Sequence, residues 1–238
     1  MADNPYAAPQ TADLVRQQQW SAGSGTFTIG QCWNDAWQAA TKNIGLVIGG
    51  YLVVMVTSFV FAMTVIGYFI AIPVLVVGVV RFGLELLDGE SRIGTLFSGF
   101  SGYVKWLGRM LLLTLILVVL SLPGSAIQLY ATVENDPSLV LVGALVSIVW
   151  SLVVTLRFMF ANFFAVDRDL PAIEALRASW SASGPVWLKV LLLGLVMGVV
   201  AMSGLVLLGV GVLFTGPLAA LMLASAYRQM AGRPASAA

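Results

Sequence analysis

The chain has 238 residues, 59% hydrophobic and only 10% charged, with 12 Lys and Arg against 11 Asp and Glu. A soluble domain carries about 25% charged residues, so this composition assigns the bulk of the chain to lipid, and a net charge of +1 leaves no strong field for nucleic acid. With no histidine and a single cysteine, Cys32, the composition excludes His-based general base chemistry, a Ser-His-Asp arrangement, an intrachain disulfide and cysteine-cluster metal sites. No cofactor and no metal is expected.

Residues 1–27 contain Asn4-Pro5, Pro9, Gln17-Gln18-Gln19 and Ser21-Ala22-Gly23-Ser24-Gly25. They read as a flexible tail with too little apolar content to offset ordering and no apolar signal-peptide core. From Thr28 the pattern changes. Ile29, Cys32, Trp33, Ala36, Trp37 and Ala40 fall on one helical face, and Thr28 with Gln31 has capping-box spacing. Too polar to span, this segment is predicted to lie in the membrane interface with its Trp rings at headgroup level.

Lys42 and Arg81 then bracket 38 residues without a charge, as do Lys189 and Arg228. A 38-residue helix would be about 57 Å long, nearly twice the roughly 30 Å hydrocarbon core, so each stretch is predicted to cross twice. The spans fall at about 44–63, 67–87, 105–123, 138–160, 186–206 and 210–229. Ile93, Leu96, Phe97, Phe100 and Tyr103 predict a second interfacial helix. Leu170-Pro171 opens a third, with Ala172, Ile173, Leu176 and Trp180 inward and Asp169 as a candidate cap. The expected fold is an all-α membrane protein: six spans in three hairpins, each hairpin preceded by an interfacial amphipathic helix. The domain covers 28–230, followed by a C-terminal tail at 231–238. All twelve cations fall on one side and only Glu134 and Asp136 on the other. The positive-inside rule makes the cationic side, with both termini, the cytoplasm. Its nine carboxylates reduce that layer to a net +3, a mixed-charge surface suited to headgroups or a protein partner.

The hairpins resemble one another. Pro73 and Pro217 lie within the first and third return spans, and GxxxG pairs occur at Gly45/Gly49 and Gly194/Gly198 in the matching outward spans. The middle unit has instead a Gly143/Ser147 small-residue pair. Duplication and the physics of hairpin insertion both account for this. The prolines read as packing kinks or hinges, and the glycine pairs as close-packing surfaces within the bundle or between protomers. Arg157 lies about twenty residues into an apolar segment. It reads either as a snorkelling side chain at headgroup level or as a buried charge partnered by Asp167. No Asp, Glu or Lys lies near the middle of a predicted span, which argues against an ion-coupled pump.

Asn4-Pro5-Tyr6-Ala7-Ala8-Pro9, the Trp37 helix, the Pro73-to-Gly78 return helix, Leu96-Phe97-Ser98-Gly99-Phe100 and Glu174-Ala175-Leu176-Arg177-Ala178-Ser179 resemble uncharacterised six-span bacterial inner-membrane proteins. Those families are similar to the membrane domain attached to some glycerophosphodiester phosphodiesterases. The resemblance implies a six-helix membrane fold and a bacterial source, and it carries over no catalytic residue. The three interfacial helices, the nearly absent external domain and the missing catalytic inventory lead to the expected function, that of a non-catalytic inner-membrane protein, an accessory, scaffold or lipid-contacting subunit acting through its cytoplasmic face. Its expected partners are membrane lipids and a membrane protein or further copies of itself. The alternative is a channel or facilitator for a small neutral or apolar solute.

Overall fold

The computed structural model describes residues 24–89, 92–134, 136–206 and 211–232. Every regular element among them is helical: α1 (Ile29–Lys42), α2 (Ile44–Ala62), α3 (Val65–Asp88), a 3-10 segment (Ile93–Phe100), α4 (Tyr103–Val133), α5 (Pro137–Phe158), α6 (Ala161–Asp167), α7 (Ala172–Ser183), α8 (Trp187–Val206) and α9 (Val212–Ala231). Most of the expected tail (1–23), the C-terminal residues 233–238, and Gly209 and Val210 of the last turn lie outside the described residues.

Four helical stretches are long and apolar enough to cross a membrane: Ile44–Ala62, Tyr103–Val133, Pro137–Asp167 and Trp187–Gly204. Only 11–17% of each is buried in the protein. Their surfaces carry large apolar side chains such as Val56, Phe59, Leu115, Leu129, Leu141, Leu195 and Met202, each more than half exposed. That much contiguous apolar surface is untenable in water and ordinary in hydrocarbon, where lipid tails solvate it. By contrast, α9 is an interior helix, with Leu218, Leu221, Met222, Ala226 and Tyr227 all buried. The core gathers where these elements meet the charged ends of the spans: Phe27, Cys32, Ala36, Leu84, Trp106, Phe160, Ala165 and Tyr227 belong to it.

Several local outcomes differ from the sequence reading. Residues 24–27 are docked rather than loose: Phe27 is buried, and the Ser24 N–H donates to the Gln229 carbonyl at 3.2 Å. Thr28 does precede α1, but its side chain makes no cap; its carbonyl accepts from the Gln31 and Cys32 N–H groups instead. Residues 93–100 form no amphipathic α-helix. They fold back along α3 as a 3-10 segment, with the Thr95 hydroxyl donating to Glu85 at 2.7 Å and Arg81 Nη1 donating to the Ser98 carbonyl at 3.4 Å. Further along, a Cβ on Gly99 would lie 2.2 Å from the Val74 carbonyl oxygen, and one on Gly78 1.7 Å from that of Leu96. Only glycine permits such a backbone approach. Glu85 to Val74 is about 16 Å of helix, so the segment re-enters the bundle beside the apolar run of α3. Irregular backbone is tolerated at such depth only where protein covers it; Leu96 and Gly99 are covered accordingly.

The third predicted span ends at Pro123, but α4 runs through that proline for 31 residues. Proline removes one helical N–H and loosens the turn before it. There the Trp150 indole of α5 donates to the Leu120 carbonyl at 2.8 Å. Around this bond α4 and α5 pack antiparallel. A Cβ on Gly124 would stand 3.0 Å from Trp150, and one on Gly143 would stand 2.8 Å from Ala131. Gly143 and Ser147 of the middle unit thus sit at a close helix contact. The two GxxxG pairs do not: Gly45 and Gly198 have nothing within 4 Å of an added Cβ, while Gly49 and Gly194 would make ordinary contacts at 3.9 Å with Ile93 and Leu156. Close approach falls instead at Gly50 against Phe82 and at Gly216 against Tyr51.

Candidate functional site

The charged ends of the helices form one connected layer, because each element delivers a polar side chain just beyond its apolar run. The end of α3 supplies Asp88, α6 supplies Asp167, and α9 supplies Tyr227 and Arg228 one turn before its end. Arg228 Nη2 donates to Asp88 at 2.9 Å, while Nη1 lies 3.6 Å from Asp167. The Tyr227 hydroxyl donates to Asp167 at 2.8 Å. These pairs are deeply set, with Arg228 10% and Asp167 11% exposed at the side chain, and breaking a buried pair by removing one partner is strongly destabilising. Beside them, Arg168 donates to the Ala231 carbonyl, and its guanidinium lies over the Phe164 ring.

Asp167 is therefore the partner of Arg228 and Tyr227, not of Arg157. Arg157 rests its guanidinium on Trp180, 4.5 Å from the ring centroid, and its carbonyl accepts from the Ser179 hydroxyl at 2.8 Å. A charge about twenty residues into an apolar segment has thus found an aromatic face rather than a carboxylate.

A second group of contacts ties α4 to the loop before α7. Asp169, expected to cap α7, is not its N-cap, which is Pro171. It takes a left-handed backbone conformation (φ 54°) and accepts from Lys105 at 2.8 Å and Arg109 at 2.7 Å. Burial disfavours its charge, but the hydrogen bonds from Lys105 and Arg109 outweigh that and hold its carboxyl below the usual range. Arg81, Lys105 and Arg109 surround the ring of Trp106 at 4.9–5.2 Å.

The third group holds α1 on α9. The Ser225 hydroxyl donates to Asp35 at 2.7 Å, and the Gln229 amide donates to Ser225 and to the Cys32 sulfur. The Thr28 N–H donates back to the Gln229 side-chain oxygen at 2.9 Å. Burial pushes the Cys32 thiol up to about 11, so the sole cysteine is a core residue rather than a nucleophile.

Between α1, the end of α3 and the end of α9 lies a polar cleft of about 440 Å³. Two acids, Asp35 and Asp88, and two cations, Lys42 and Arg228, border it with the amides of Gln31, Gln38, Asn43 and Gln229. Such a lining suits a polar group carrying both signs of charge. Leu86 borders this cleft and also a smaller apolar gap of about 110 Å³, lined by Val47, Tyr51, Phe82 and Pro217. Pro217 thus lies at the inner gap, whereas Pro73 lies within α3 next to Val74, whose carbonyl the 3-10 segment approaches. Among the described residues no three metal-ligating side chains converge. No local pattern marks the partnership of Asp167, since its partners lie about sixty residues downstream; polar residues at the ends of neighbouring spans are the signal that the sequence offers. Compared with known proteins, the chain matches no protein-family model, no curated protein and no solved structure.

Proposed function

We propose that the chain is a six-span bacterial inner-membrane protein with both termini in the cytoplasm, and that it acts without catalysis as a lipid-contacting accessory or scaffold through its cytoplasmic face. One observation carries this reading. The protein concentrates its core, ion pairs and polar cleft at the charged end, while the spans leave that layer with bare apolar surfaces. Trp33 and Trp37 stack at 5.8 Å between centroids and are partly exposed on α1, with Trp37 edge-on to Phe214 of α9, which supports contact of α1 with lipid. Asp88, Asp167, Tyr227 and Arg228 are engaged in the pairs that join α3, α6 and α9, which supports a structural role for that part of the layer. Affinity purification from native membrane tests the proposal. Reproducible co-purification of a protein or a defined lipid class is expected, and a lone monomer stripped of both would count decisively against it.

A solute facilitator is the second reading, favoured by Leu86, which stands between the polar cleft and the apolar gap. In liposomes containing the full chain, glycerol flux that rises in Leu86→Ala would support it. Flux at the level of empty liposomes in both proteins would remove it.

A further inference from the structure

An open groove of about 520 Å³ runs between α4, the end of α5 and α7, a volume in the range of ligand sites. Ile116 and Leu120 of α4, Phe158 of α5 and Leu176 of α7 line it, with Trp180 half exposed beside them. Arg177 is the charged residue that borders it. The Arg157 guanidinium lies on the same Trp180 ring, whose other neighbour is Phe158 at 5.7 Å between centroids. Among the described residues neither Arg157 nor Arg177 is within salt-bridge distance of a carboxylate. Glu174, three residues before Arg177, is exposed on the same helix.

We propose that this groove holds one acyl chain of an anionic phospholipid, with the phosphate held by Arg177, which borders the groove, and by Arg157, which lies on the Trp180 ring. The proposal rests on the membrane reading above and names the lipid class and the site. An apolar groove on a membrane-facing surface has to be filled by something apolar. Two guanidiniums without carboxylate partners beside it match a phosphate, which arginine binds in bidentate fashion. The amphipathic α7 supplies both features, with Leu176 turned into the protein and Arg177 exposed. Two cations against one exposed acid favour an anionic over a zwitterionic headgroup.

The full chain is reconstituted into phosphatidylcholine vesicles in which brominated acyl chains are carried either by phosphatidylcholine or, at equal mole fraction, by phosphatidylglycerol. Bromine quenches nearby tryptophan, and the difference between the native chain and Trp180→Phe isolates the Trp180 signal. Stronger quenching of Trp180 by the brominated phosphatidylglycerol is expected. Arg177→Gln and Arg157→Gln should each lower that preference about fivefold, which corresponds to about 1 kcal/mol per cation near a membrane surface. If Arg157→Gln fails to fold, the exposed Arg177 keeps the test intact. Equal quenching by the two lipids, a preference unchanged in Arg177→Gln, or a Trp180 shielded from both lipids by a second copy would overturn the proposal. Silence of every tryptophan towards both lipids would instead sink the membrane reading itself.

Discussion

Gly78→Ala is expected to be among the most damaging single-methyl additions in this chain. The new Cβ would lie 1.7 Å from the Leu96 carbonyl oxygen, 2.4 Å from its carbonyl carbon and 2.9 Å from its Cα. All three are backbone atoms, so no side-chain rotation relieves the clash, and the 3-10 segment must retreat from α3 by more than about 1 Å. Overpacking costs about 1–3 kcal/mol, and a backbone obstacle places this case at the upper end. Alanine recovers about 0.8–1 kcal/mol of helix propensity, leaving a net loss of about 2 kcal/mol. For a chain of this size that is about 4–8 °C in the thermal midpoint, readable by tryptophan emission during heating in detergent. Gly198→Ala is the matched control: nothing stands within 4 Å of its added Cβ, so propensity alone should leave it equal to or slightly more stable than the native chain. A Gly78→Ala midpoint within 1 °C of native, on the order of the assay error rather than the roughly 2 kcal/mol expected, would refute the re-entrant packing. A large loss in Gly198→Ala would show that the GxxxG face packs between protomers.

Asp169→Asn should lower stability by about 1 kcal/mol at neutral pH, a figure discounted because Asp169 and Lys105 are each more than a third exposed. The carboxyl is held below its ordinary value of 3.8. Its contribution is therefore full above that value and fades as pH falls through the depressed folded value. In acid titrations followed by thermal midpoint, the native chain and Asp169→Asn should converge below that point, and a constant gap would contradict the pairing. Cys32, fully buried and with its thiol pushed up to about 11, should resist maleimide at pH 8 and react only on unfolding; prompt labelling of the folded chain would show that α1 detaches. Sidedness is better read from Asn34→Cys and Glu134→Cys in a Cys32→Ala background, both native residues being exposed. Only the latter should react with an impermeant reagent in intact cells. Trp150→Phe removes the donor to the Leu120 carbonyl and should cost about 1 kcal/mol, whereas no measurable loss in thermal midpoint would show that the proline-loosened turn satisfies itself.

Much of the architecture is legible in the residue order because it depends on local periodicity. The Trp33/Trp37 helix and the Ala172–Ser183 helix arise from 3.6-residue spacing, and the apolar stretches stand out by length alone. The candidate site was less legible. Polar residues at span ends announce a charged layer, but which acid meets which base depends on helix neighbours far apart in the chain, as when Arg228 joins Asp88 across 140 residues. The glycine contacts failed for a related reason. A GxxxG pair marks a smooth face, yet whether another helix lies against it is a property of the partner, and the approach occurs at Gly50, Gly78, Gly143 and Gly216. Asp169 illustrates the competition directly: the cap expected from its position in sequence gave way to two cations delivered by α4.

Composition and hydropathy by themselves determined that this is a helical chain with stretches able to cross a membrane, because transfer of apolar side chains to hydrocarbon is nearly independent of what surrounds them. The layout of charge, with Asp, Glu and Lys excluded from the middle of the apolar runs, follows from the same cost. Only the tertiary structure decided that residues 93–100 fold back against α3, that α4 continues through Pro123, that Cys32 is sealed in the core, and that Asp167 belongs to Arg228 and Tyr227. Each of these turns on a backbone approach or a buried partnership of a few ångströms. Such distances are set by the packing of non-adjacent helices, which no local pattern encodes.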